Sequence, residues 1–106
     1  MEYAVIAYDA TDEGALERRM AVRESHMDVV KGLREQGHMI HGGALLDDAG
    51  KMIGSIIIAD FPTRDAFDAW LNNDPYVTGN VWKDIQVVPF KTAPAFLGNI
   101  PKPVAH

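Results

Sequence analysis

Residues Glu2 to Asp9 (EYAVIAYD) form a short β-branched and aromatic run, and the cluster Asp9-Ala-Thr-Asp-Glu-Gly14 stops it at once. The pattern predicts a first strand. From Ala15 to Gln36 the chain changes to strong helix formers without proline, and apolar residues recur at Leu16, Met20, Met27, Val30 and Leu33. This spacing predicts a long amphipathic helix. Asp12 or Thr11 is placed to cap its start and Gly37 to supply a left-handed residue at its end, with Lys31 and Arg34 where the helix dipole favours cations. His38 to Leu46 and Met52 to Phe61 are two strand-like runs around Asp47-Asp48-Ala49-Gly50-Lys51, which predicts a hairpin. Thr63 suits the N-cap of a second helix over Arg64 to Asn72, where Ala66, Phe67, Trp70 and Leu71 share a face. Asn73-Asp74-Pro75 breaks that helix, because the residue before proline is pushed out of the α region. Asp84 to Lys91, with Val87-Val88, is the last strand, and Pro89 assigns it to an edge or a bulge.

The order β-α-β-β-α-β predicts a ferredoxin-like α+β fold, a four-stranded antiparallel sheet carrying both helices on one face. The other face then lacks cover. The hairpin strands are nevertheless apolar on both sides, since Met52, Ile56 and Ile58 alternate against Ile53, Ile57, Ala59 and Phe61. A second copy of the sheet is the simplest partner, so a homodimer through the open face is expected, forming a dimeric α+β barrel. Residues 92–106, with Pro94, Pro101 and Pro103, are too proline-rich for regular structure but keep Phe96, Leu97 and Ile100. They are expected to clasp a neighbouring surface or to be disordered, leaving 1–91 as the single domain.

Composition narrows the function. The chain has 106 residues and a formal charge of -5, the wrong sign for tracking a nucleic-acid backbone. It has no cysteine, which excludes disulfides, thiolate chemistry and sulfur-ligated metals. No apolar run approaches the roughly 20 residues of a membrane span, and the opening residues lack the features of a signal peptide, so a cytoplasmic location is expected.

His26 is the sharpest chemical signal. Its neighbours on the helical wheel are Val22, Val29, Val30 and Leu33, so the imidazole points along the buried stripe. It reads either as a core histidine satisfied by a backbone carbonyl or as a general base that needs a partner to fix its tautomer. Asp74, at the end of the second helix, could be that partner or could simply open an Asp-Pro turn. Arg19 and Arg23 lie on the same helix, where either could anchor an anionic or phenolate ligand, but Arg19 reads better as a solvated side chain paired with Glu17 or Glu24. Ser55 follows Gly54 on the strand face of Ile53 and Ile57, where its hydroxyl needs a partner or a substrate oxygen. Tyr8, Tyr76, Trp70 and Trp82 could wall an aromatic pocket or be plain packing. His38 and His41 are three apart on a strand and do not converge on a metal, and neither a glycine-rich phosphate loop nor a G-x-S-x-G elbow is present. Acid-base chemistry without a cofactor remains.

Taken in order, Tyr8-Asp9, Arg23-x-x-His26, Gly42-Gly43-x-Leu45, Gly54-Ser55, Asp74-Pro75-Tyr76 and Pro89-Phe90 resemble the YCII-related (YciI-like) family, from Tyr3 to Lys91. The resemblance implies a ferredoxin-like dimer with a His and Asp pair in a pocket, here His26 and Asp74, with Ser55, Arg23 and Tyr76 as substrate-binding residues. It further implies the activity of one family member, a lyase that removes HCl from a chlorinated hydroxyhydroquinone in chloroaromatic degradation. An isomerase-type proton shuttle on a small lactone or enol, or a non-catalytic ligand-binding module, are the alternatives. Two departures stand out. Glu24 follows the arginine where the family often has proline, and the segment after Lys91 is longer than the family's compact core.

Overall fold

A computed structural model of the chain describes residues 1–100. Its sheet has the strand order β2-β3-β1-β4, built from β1 (Glu2–Asp9), β2 (Met39–Leu46), β3 (Met52–Asp60) and β4 (Trp82–Phe90). All neighbouring strands are antiparallel. The ferredoxin-like α+β architecture is thereby present, with α1 (Ala15–Glu35) and α2 (Arg64–Asn73) as the crossover helices. β4 is an edge strand, which is why Pro89 is accommodated: its missing N–H faces no further strand. β4 also starts two residues earlier than its apolar pattern indicates. A register shift at Tyr8/Asp9 lets Trp82 pair with Asp9.

The ends of α1 differ in how they are made. At the C-terminus Gly37 adopts φ +87°, and the amides of Gly37 and His38 return to the carbonyls of Arg34 and Leu33. This is the left-handed closure expected of that glycine. At the N-terminus Gly14, and neither Asp12 nor Thr11, occupies the cap, with no side-chain bond to the helix. Asp12 acts just outside, accepting the Gly14 amide and pairing through both oxygens with Arg18 at 2.7 and 2.8 Å. That guanidinium holds the Asp12 carboxyl down at about 2. Thr63 caps α2 as expected, accepting the Ala66 amide at 3.1 Å.

After α2 the chain turns at Asp74 and forms one further helical turn, α3 (Pro75–Thr78), absent from the sequence reading. Pro75 prevents α2 from continuing, yet its fixed φ suits the first position of a new helix. The Pro94–Asn99 segment likewise forms a 3-10 helix, begun by Pro94, where the proline content indicated no regular structure. The segment leaves β4 through Thr92, whose amide and hydroxyl both bond the Glu2 carboxylate. Phe96 and Leu97 are exposed and Ile100 is half-buried; the end of the tail expectation, 101–106, lies outside the described residues.

The core lies between the helices and one sheet face. Tyr3, Phe61, Phe67 and Trp70 form a packed aromatic cluster beneath α2. Tyr76 and Trp82 lead away from it toward α1. Burying such large rings supplies much of the hydrophobic driving force in a chain this small. Along α1 the buried positions are Ala15, Arg19 and His26, continued by half-buried Val22, Val29, Val30 and Leu33. Met20 and Met27, counted in the apolar stripe on spacing, are exposed. The other sheet face is open: the strand register puts Ile6, Tyr8, Ile56, Ile58, Val88 and Phe90 on it together.

Gly54 governs how closely β1 and β3 approach beside Ser55. A Cβ on Gly54 would overlap the Ala7 carbonyl oxygen and lie 3.1 Å from Leu45 Cδ1. Gly54→Ala should therefore cost about 1–3 kcal/mol of stability, as overpacking does. Urea unfolding of the variant beside the wild type measures it.

Candidate functional site

Asp74 is the most enclosed polar residue among those described, with no exposed surface. The break between α2 and α3 holds it there, since its backbone ends one helix and its side chain caps the next through the Tyr76 amide at 2.9 Å. The same Oδ1 lies 2.7 Å from His26 Nδ1, and Oδ2 accepts the Trp70 indole N–H at 3.0 Å. An ionised carboxylate can only accept, so Nδ1 carries the proton and the lone pair of the neutral imidazole falls on Nε2. Among the described residues Nε2 has no protein hydrogen-bond partner, and His26 lines a cavity of about 1000 Å³.

The imidazole is fixed in plane as well as in tautomer. Tyr76 stacks on it at 3.8 Å with 12° between the rings, and Trp82 meets it edge-on at 5.7 Å. Burial pushes the Tyr76 phenol above its ordinary value, against the opposing pull of the Arg19 and Arg23 charges. A neutral phenol is therefore the form present near neutral pH.

Arg19 departs from its sequence reading. It is 3% exposed and pairs with neither Glu17 nor Glu24. Its Nη1 bonds both oxygens of buried Asp9, at 3.1 and 3.0 Å, and its Nη2 donates to Ser55 Oγ at 2.9 Å. The guanidinium also lies 4.7 Å from the centre of the Tyr76 ring, a cation-π distance. Ser55 Oγ accepts a second bond, from the Trp82 indole at 3.2 Å. With both acceptor positions engaged, the hydroxyl proton remains for a ligand oxygen. Arg19 Nε is the one buried side-chain nitrogen or oxygen without a partner among the described residues.

The cavity holds about 1000 Å³ between α1, the edge strand β2 and the floor of β3. His26, Tyr76, Ser55, Arg19 and Arg23 all line it, so the histidine and the proposed ligand-binding positions open onto one space. Asp74 is the exception, lying behind His26. Trp70 and Trp82 support the wall through their N–H groups, whereas Tyr8 lies exposed on the opposite sheet face. His38 stacks on Phe61 and bonds the Asp60 carbonyl, apart from His41 at the cavity rim. Sequence reasoning gave Asp9 no part in the site. The signal for the Arg19 pair was available in the spacing Ala15-Arg19-Val22-His26, one turn apart along the buried stripe.

The family model for the YCII-related domain matches residues 1–91. Protein YciI of Escherichia coli O6:H1 is 34% identical over 97 residues, covering 86% of this chain and 97% of that protein. An uncharacterized protein of Haemophilus influenzae is 35% identical over the same shares of each chain. Among solved structures, the 5-chloro-2-hydroxyhydroquinone dehydrochlorinase TftG of Burkholderia phenoliruptrix AC1100, in complex with 2,5-dihydroxybenzoquinone, superposes with a TM-score of 0.75. It is 21% identical and covers 88% of this chain and 96% of its own, a likeness of fold. Protein Atu4242 of Agrobacterium tumefaciens shares the fold more loosely, with a TM-score of 0.54 at 12% identity, covering 92% of this chain and 98% of its own. With the family model matching residues 1–91 and two bacterial relatives at a third identity, the chain belongs to the YCII-related family.

Proposed function

We propose that the protein is a lyase that eliminates HCl from a chlorinated hydroxyhydroquinone by proton transfer alone. The observation that carries the reading is the 2.7 Å contact between Asp74 and His26 Nδ1, which leaves Nε2 as the base at the cavity wall. The quinone bound to TftG, whose fold this chain shares, supports the choice of substrate class.

The reaction asks little beyond acid-base positioning. His26 Nε2 takes the proton of a ring hydroxyl and the ring carbon bearing chlorine gains one, converting the enol into its ketone. A second hydroxyl proton is then withdrawn as the C–Cl bond breaks and chloride leaves with the bonding pair. The ring becomes a quinone, and the net loss is HCl. Asp74 holds the tautomer and stabilises the imidazolium as it forms. The Ser55 hydroxyl and the protonated Tyr76 phenol are the neutral donors available to a ring oxygen on which charge develops.

The chemistry is tested by chloride release. His26→Ala should lower kcat by roughly 10²- to 10⁴-fold, the usual contribution of a general base, with an unchanged circular dichroism spectrum. Undiminished turnover would remove His26 from the mechanism. Proton exchange into a lactone or enol without chloride release would assign the dyad to isomerisation instead.

The raised phenol of Tyr76 makes a separate prediction. A folded-state value above 10.0 means that the native protein holds this proton where the unfolded chain releases it. Its contribution to stability is complete below pH 10 and is lost as pH rises through the higher folded value. Tyr76→Phe should flatten this alkaline loss in denaturation curves recorded from neutral pH upward.

The open sheet face supports a homodimer. Tyr8, Ile56, Val88 and Phe90 are exposed on it together, an apolar surface that pairing with a second copy would cover. Sedimentation equilibrium should give twice the 11.7 kDa chain mass, and Ile56→Asp should give the monomer. A monomeric wild type would overturn the dimer.

A further inference from the structure

We propose that the outer half of the cavity is a carboxylate subsite, formed by Arg23 and Lys31 on either side of Met27. The physiological substrate is then an aromatic ring with an acidic side arm. This inference rests on His26 marking the reacting end of the cavity, and adds to it the class of molecule that fills the remainder.

Size is the first argument. A space of about 1000 Å³ stands at the upper end of small-ligand sites, and a single hydroxylated ring placed against His26, Tyr76 and Ser55 occupies only its inner end. What continues outward follows α1. Arg23, Met27 and Lys31 are four residues apart on this helix, so they form one ridge along the cavity mouth, with steps of roughly 6 Å. The side arm would lie on Met27, an exposed thioether with no other evident role, and its charge would fall between the two cations.

Charge is the second argument. The chain as a whole carries -5, yet this mouth gathers Arg23, Lys31 and Arg34 against a single lining acid, Asp28. The charge of Arg19, deeper in, is already met by Asp9. Arg34 donates to the carbonyls of Met39 and Ile40, which fixes its position and leaves its charge uncancelled. Among the described residues neither Arg23 nor Lys31 has a carboxylate partner within 4.0 Å. Concentrating unpaired cations at the entrance of a pocket in an acidic protein focuses the field on an anionic ligand. The phenolate formed at His26 does not account for Lys31, which lies roughly 7.5 Å from that histidine along the helix axis.

Isothermal titration calorimetry with two probes tests the subsite without turnover: 2,5-dihydroxyphenylacetate, which carries the arm, and methylhydroquinone, which lacks it. The wild type should bind the acid about tenfold more tightly or better, the effect of charge-assisted contacts, and added salt should shrink the preference. The double variant Arg23→Gln, Lys31→Gln should bind both probes within about threefold of each other. Equal affinities in the wild type, a preference that survives in the double variant, or no binding of the acid would each overturn the subsite. Chloride release by His26→Ala is read separately. If that variant turns over normally while the wild type still prefers the acid, the base is misassigned and the subsite stands. If turnover collapses and the preference is absent, the reverse holds.

Discussion

The site depends on one desolvated carboxylate. Asp74 is shut away from water, and a buried charge of that kind persists only when its oxygens are met by well-placed donors. Trp70, the Tyr76 amide and His26 meet them. Each donor comes from a different part of the chain: the body of α2, the start of α3, and the middle of α1. One side chain thus ties two helices together, starts a third and selects the tautomer of the histidine. Structural and chemical roles are inseparable at this residue.

A second polar cluster does similar work against the sheet. Asp9 at the end of β1, Arg19 on α1 and Ser55 on β3 are all nearly inaccessible, and their bonds join helix to sheet where the core would otherwise be apolar. Tyr76 separates the two clusters, stacked on His26 and within cation-π reach of Arg19. The core therefore has a solid, aromatic half beneath α2, and a half built from hydrogen-bonded polar groups that leaves room for a ligand. Packing alone would have filled that room. The polar half keeps it open because its side chains are held by fixed hydrogen bonds and cannot collapse inward.

Much of this was legible in the chain, for identifiable reasons. Strand β1, the closure of α1 at Gly37, the Thr63 cap and the hairpin are each specified by a few adjacent residues, and their local chemistry has one reasonable outcome. His26 stood out because an imidazole fell among valines on the wheel. Arg19 occupies the same stripe, yet an arginine near two glutamates reads as a solvated one, and its true partner lies ten residues earlier on a strand. Met20 and Met27 misled in the opposite sense: they continue an apolar pattern, but the helix is rotated so that Arg19 and His26 face inward. Periodicity locates a stripe only to within a residue or so, and which polar groups it admits is decided by partners that fold brings from far along the chain.

The two tryptophans carry a last consequence. Trp70 donates its indole N–H to Asp74 and Trp82 donates its own to Ser55, and the chain contains no other tryptophan. Its entire indole emission therefore originates from rings tethered to the two halves of the site. Intrinsic fluorescence of the unlabelled protein is a direct optical reporter of the cavity, with no silent background from elsewhere in the fold.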